Sequence, residues 1–251
     1  MEYWQPLLLM ATGIVAGFMN VMAGGGSMLT LPVMVFIGLP GPVANGTNRI
    51  AIVAQSLVAV VTFFRKGFAD FRLSLTLALA AIPGAVAGAL VGVQLRGVWF
   101  NRVLAIVMVG VMILSWRKSP AVPDAGTPPA PPSPRRMIAA HLLMVLVGFY
   151  GGFIQIGVGF LFMAVMMHVL RLDLVRVNMH KVFIVGVFNI AALVVYASSV
   201  PVVWTLGLAL ALGNAAGGWL GAHTSVSHGE QLIRWVLNTV LIVFIIKLLL
   251  G

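Results

Sequence analysis

The sequence predicts an all-α polytopic membrane protein, built as two inverted repeats that each combine a broken, re-entrant helical hairpin with three transmembrane helices. Three observations predict it. Of the 251 residues, 61% are hydrophobic and only 8% charged, with a mean hydropathy of +1.10; a soluble domain carries about a quarter charged residues. Apolar runs near or above ~17 residues recur along the chain, the length that spans a bilayer as a helix. They are continuous rather than alternating, and a bilayer offers no water to open backbone groups, so these runs are helices rather than barrel strands. Finally, a Pro-rich stretch divides the chain near its middle, with similar glycine-rich punctuation in the same order on both sides.

Composition also excludes. There is no cysteine, hence no disulfide framework and no thiolate metal site. The net charge of +10 comes from basic residues standing singly or in pairs beside apolar runs, which fits the positive-inside rule rather than a nucleic-acid surface. The segment Leu7–Val21 lacks a basic leader and an A-x-A site, so it reads as a retained helix rather than a signal peptide.

In order, the apolar segments are 7–22, 28–38, 46–64, 71–94 and 98–116, then 137–155, 158–169, 177–196, 201–222 and 229–249. Between the two sets, "RKSPAVPDAGTPPAPPSPRR" reads as an extended linker with basic ends. The chain therefore divides into a first repeat (1–116), a cytoplasmic linker (117–136) and a second repeat (137–251). Superposing Gly25 on Gly157 also aligns Ser27 with Gly159, Asn48 with His180 and Arg49 with Lys181. Further on, Gly84, Gly88 and Gly92 align with Gly213, Gly217 and Gly221.

Basic residues set the orientation. Arg65, Lys66 and Arg72 flank one connection, Arg117, Lys118, Arg135 and Arg136 the linker, and Arg171 and Arg176 a third. With all three cytoplasmic, every one of the 15 Lys and Arg residues except Arg49, Arg96, Arg102 and Lys247 lies inside. Both termini are then outside, and segments 46–64 and 177–196 point in opposite directions, the inverted-repeat plan of many secondary transporters. Segment 28–38 would be about 16 Å long as a helix and cannot cross a core of about 30 Å. Each half therefore opens with a hairpin whose tip lies inside the membrane. Because the chain has no cysteine, the orientation has a clean check: in intact cells, an impermeant thiol reagent is expected to leave an Ala125→Cys variant unlabelled.

The hairpin tips are "AGGGS" (23–27) and "QIGVG" (155–159). Glycine suits a sharp reversal, and a short helix starting at an unwound tip favours an anion at its positive end. The alternative is that these glycines only allow close helix packing. The candidate substrate-binding residues at the tips are Gly24, Gly25, Gly26, Ser27, Gly157 and Gly159, with Asn20 and Gln155 beside them.

Here the sequence resembles the TauE/SafE sulfite exporter family of membrane transporters. The resemblance rests on "GFMNVMAGGGSMLTLPVMVFIGLP", "ANGTNRI" and "GFYGGFIQIGVGF" and covers essentially the whole chain apart from the linker. The second half departs from the pattern: Gln155, Ile156 and Val158 interrupt its glycines, and it reads "VNMHKV" where the pattern has "A-x-G-T". The resemblance implies transport of sulfite, organosulfonates or related sulfur oxyanions and small organic anions across the cell inner membrane.

Arg49 and its counterpart Lys181 are cations near the start of apolar helices. A cation in hydrocarbon is costly and tends to face a pathway. Arginine can grip an oxyanion with two parallel N–H bonds, whereas lysine supplies a point charge. Thr47, Asn48, Asn178 and His180 add polar groups nearby. The alternative for either cation is snorkelling to the interface. The predicted symmetry places Arg49 toward the outside and Lys181 toward the inside. They share a ligand if the loop 39–46 dips inward; otherwise they serve outward- and inward-facing states in turn.

Asn189 and Asn214 read as helix–helix hydrogen-bonding residues, and His168, His180 and His223 as structural or interfacial. No metal pattern, P-loop or intramembrane nucleophile–base pair is present, and no Asp or Glu lies inside a span. The expected partners are a small anion and the lipid bilayer, with a homodimer as a further possibility; no cofactor and no nucleic acid are expected. The sequence thus reads as a secondary anion transporter and not an enzyme, with an anion channel or a carrier of small carboxylates as the alternative.

Overall fold

The computed structural model describes residues 3–95, 99, 102, 106 and 132–250. Most of the predicted span 98–116 and most of the linker lie outside the described residues. Every element given below is an α-helix. In chain order they are α1 (Trp4–Met22), α2 (Ser27–Phe36), α3 (Gly41–Arg65), α4 (Phe71–Gly92), α5 (Pro134–Phe153), α6 (Val158–His168), α7 (Leu174–Ser199) and α8 (Trp204–Leu250). Five of them, α1, α3, α4, α5 and α7, are long and apolar enough to cross a membrane. With 10 and 11 residues, α2 and α6 are not. This is a polytopic membrane protein. Leucines such as Leu57, Leu79, Leu142, Leu146, Leu208 and Leu212 point outward, as helices solvated by lipid require.

The order long, short, long, long occurs twice. Small residues weld these sets together, as they do in membranes, where backbones must approach closely for packing to hold helices. Gly13 and Gly17 of α1 lie against Leu210 and Asn214 of α8, and Gly213 and Gly217 against Met10 and Ile14. Likewise Gly84 and Gly88 of α4 meet Val145 and Phe149 of α5, while Gly148 and Gly152 meet Ala81 and Ala85. Residue numbers rise together in both pairs, so each pair runs parallel. Against one another, α3 and α7 run oppositely: Gly46 meets Tyr196, Arg49 meets Asn189, and Ser56 meets Gly186.

Three boundaries differ from the sequence reading. The segment 39–46, expected as a loop, is mostly helix, because α3 begins at Gly41. Pro40 takes an extended conformation as N-cap and Pro42 sits in the first turn, where a missing N–H costs nothing. Arg49 is consequently two turns inside the helix rather than at its start. Pro134, Arg135 and Arg136, read as linker, form the first turn of α5. Segments 201–222 and 229–249, expected as separate helices, form one 47-residue helix, about 70 Å long at 1.5 Å per residue. The polar stretch between them contains no proline, a lone glycine costs a helix only about 1 kcal/mol, and Ser227 bonds back to the carbonyls of His223 and Thr224. Serine in that role bends a helix more often than it ends it.

Candidate functional site

Each half breaks its first helix in the interior. After α1 the chain turns at Gly24, whose φ of +84° suits glycine. Its N–H and that of Ala23 close the helix on Met19 O and Asn20 O. After α5 the chain runs extended at Ile154 and turns at Gly157, with φ +64°. The Tyr150 hydroxyl holds this tip by donating to Ile156 O. The two breaks meet: the backbones of Gly24 and Gly159 touch, and a Cβ on either would overlap the other.

A helix that stops inside a bilayer leaves carbonyls without donors. Here each half supplies donors for the other. At the end of α5, Arg49 Nη2 donates to Gly152 O at 2.6 Å and Gly151 O at 3.1 Å. Its Nη1 donates to Gln155 Oε1 (3.0 Å) and Asn189 Oδ1 (2.8 Å). The guanidinium lies over the Tyr196 ring, 4.6 Å from its centre. Asn45 Nδ2 and the Tyr196 hydroxyl both donate to Phe153 O at 3.0 Å. At the end of α1, Lys181 Nζ donates to Val21 O and Asn178 Oδ1, both at 2.7 Å, and Asn178 Nδ2 contacts Met22 O at 3.4 Å. Arg49 and Lys181 are fully buried. Neither has a carboxylate partner among the described residues, where the ion pair present is Asp173–Arg176. Both cations instead sit at the negative ends of broken helices, where positive charge is favoured.

The two ends are not alike. All four terminal N–H directions of Arg49 are committed. Lys181 caps α1 and also lines a cleft between α1, α3, α6 and α7, whose polar wall is Asn20, Gln55, Ser56 and Lys181 and whose other wall includes Val158 and Gly159. Gln55 Oε1 accepts from Asn20 Nδ2 at 3.2 Å and from Asn214 Nδ2 at 3.3 Å. The Ser56 hydroxyl, on a residue 1% exposed, has no partner.

The residues predicted from sequence therefore fall in several places. Asn20, Gly24, Gly159 and Lys181 gather around the cleft, with Asn178 behind Lys181. Gly25 and Gly26 complete the first tip, and Gly26 packs on Ala16 and Asn20. Arg49 and Gln155 form the α5 cap beyond Gly157. Ser27 and Asn48 join α2 to α3, with Asn48 also accepting from Thr30 at 2.8 Å. Thr47 Oγ1 accepts from Val203 N at 3.1 Å, tying α3 to the chain just before α8. His180 pairs with Ser74 of α4 at 2.8 Å and faces away from the cleft. Sequence reasoning passed over Ser56, Asn45 and Tyr196 and gave no role to Gln55. The signal for Gln55 and Ser56 is adjacency: two polar residues side by side in the otherwise apolar stretch 50–61 of α3.

A chain that crosses the bilayer repeatedly and breaks two helices around buried cations has the build of a membrane transporter. It belongs to the sulfite exporter TauE/SafE family, whose model matches residues 9–248. Among its relatives is the probable membrane transporter protein ORF9 of a Sinorhizobium species, 27% identical over 241 residues, covering 96% of this chain and 91% of the relative. Another is the probable membrane transporter protein YfcA of Escherichia coli K12, 26% identical over 256 residues with 98% and 91% covered. The probable membrane transporter protein YunE of Bacillus subtilis is 25% identical over 263 residues, with 94% of each chain covered. No solved structure matches the chain.

Proposed function

We propose that the protein is a secondary transporter of small anions in the cell inner membrane, with sulfite or an organosulfonate as its substrate, working by alternating access. The observation that carries this reading is the meeting of the two broken hairpins at Gly24 and Gly159 beside Lys181, a buried ammonium with no carboxylate partner among the described residues. A cation held that way attracts an anion and repels a cation. The opposite directions of α3 and α7 support an inverted repeat, and helices broken at glycine tips are the elements that such transporters move. Membership of the sulfite exporter family supports a sulfur oxyanion.

Arg49, expected from sequence to clamp the oxyanion, has its fork on Gln155, Asn189, Gly151 and Gly152. We assign it to holding the α5 hairpin in this state. A direct Arg49 contact with the anion belongs to a state in which the end of α5 has moved. An anion channel or a carboxylate carrier would use the same positive interior. Purified protein is expected to be stabilised in a thermal-shift titration by sulfite or methanesulfonate, since a ligand of the folded state raises stability by mass action. Saturable flux with counterflow in proteoliposomes marks a carrier. Stabilisation by acetate alone, or by no anion, would overturn the sulfur-oxyanion reading.

A further inference from the structure

We infer that the substrate's anionic head sits in the cleft between α1, α3, α6 and α7 and is held by three donors, Lys181 Nζ, Ser56 Oγ and Gln55 Nε2, of which Ser56 and Gln55 set specificity. This rests on the anion-transport reading and adds the site and the shape of the head it accepts.

Ser56 supplies the first argument. A buried hydroxyl without a partner has lost its hydration and gained nothing in exchange, and no protein group in the cleft takes its proton. The second comes from Gln55. Both Asn20 and Asn214 donate to its Oε1, which fixes the carboxamide so that its Nε2 hydrogens face away from them. Asn20 and Asn214 are therefore positioning residues for a donor. Lys181 is the third element, since its Nζ reaches Val21 O and Asn178 Oδ1 and otherwise only the Met163 sulfur at 3.6 Å, a weak acceptor. An oxyanion oxygen is a better partner for that third hydrogen.

These three donors come from two helices of opposite direction and surround one small space. A pyramidal or tetrahedral head with three oxygens engages all of them. A carboxylate has enough lone pairs for three donors but presents them in one plane, so it meets donors set around a space less well than a pyramidal head does. The cleft accordingly favours sulfite and alkanesulfonates over carboxylates of equal charge.

The experiment uses the full chain in detergent. Calorimetry with sodium methanesulfonate and sodium acetate is expected to show methanesulfonate binding tighter by about tenfold or more. Ser56→Ala should weaken methanesulfonate by about tenfold, the size of one hydrogen bond to a charged group, and acetate by less. Because the chain has no other cysteine, Ser56→Cys supplies a second readout independent of affinity. Methanesulfonate should slow its alkylation by a small membrane-permeant maleimide, whereas an exposed Ser198→Cys should react at the same rate with or without the anion. If methanesulfonate binds but neither slows Ser56→Cys alkylation nor loses affinity in Ser56→Ala, the anion sits elsewhere and the inference is overturned. If neither anion binds the unmodified protein, the underlying anion-transport reading falls instead.

Discussion

Replacing Arg49 by glutamine is expected to lower the stability of the purified protein by at least about 4 kcal/mol, read as a large fall in melting temperature. Four acceptors, Gly151 O, Gly152 O, Gln155 Oε1 and Asn189 Oδ1, receive their hydrogen bonds from this one guanidinium. Each buried acceptor left unmet costs about 1–3 kcal/mol, and two of these terminate a helix inside the membrane. The shorter glutamine can serve at most one or two of them. Arg49→Lys should recover only part of the loss, because one ammonium has three donors on a single nitrogen and cannot span the four acceptors that the planar fork reaches with two nitrogens. Methanesulfonate affinity of the folded fraction should change less than about threefold, since Arg49 does not line the cleft and one charge-assisted bond is worth at least a decade. An arginine that only snorkelled would give the opposite pattern: lysine would substitute freely and stability would barely move.

The second large effect concerns the point where the hairpins touch. Gly24→Val is expected to bring transport in proteoliposomes to background. A Cβ at position 24 would overlap the backbone of Gly159, and the φ of +84° is one a β-branched residue does not adopt without strain. Gly159→Val should fail equally, although it sits at the start of a regular helix, because its Cβ would meet Gly24. Gly38→Ala separates the two causes. It also has positive φ, but nothing lies within 4 Å of its Cβ, so it should cost only about 1–2 kcal/mol of backbone strain and keep transport. Substantial flux through Gly24→Val would show that the hairpins need not meet for the protein to work.

Much of this was legible in the chain because a bilayer simplifies the problem. Continuous apolar runs had to be helices, the short run after each glycine cluster could not cross, and both breaks occur where the glycines stand. Arg49 and Lys181 were visible as cations in hydrocarbon, and each lies at the end of a broken helix. Their partners were not visible. Neither Gly152 O nor Val21 O carries any mark in a sequence, since every residue has a carbonyl, and only the fold brings them within reach of a cation more than 100 residues away. Proline misled at 39–46, where it opens a helix rather than marking a loop. The polar run after Ala222 misled for a different reason: serine and threonine can satisfy themselves along a helix and so need not end it. Ser56 escaped notice because a serine in a membrane helix usually bonds its own backbone, and only the surrounding cleft shows that this one does not.

The reciprocal capping of the broken helices also imposes an order on biosynthesis. Arg49 is already in place when α5 emerges, so the second hairpin can be closed as soon as its own residues appear. The first hairpin waits. Val21 and Lys181 are 160 residues apart, and at roughly 5–20 residues per second of translation the end of α1 stays open for roughly ten to thirty seconds after it is made. During that interval the nascent chain holds two uncapped carbonyls within the bilayer or its insertion machinery, so the first half of the protein is finished last.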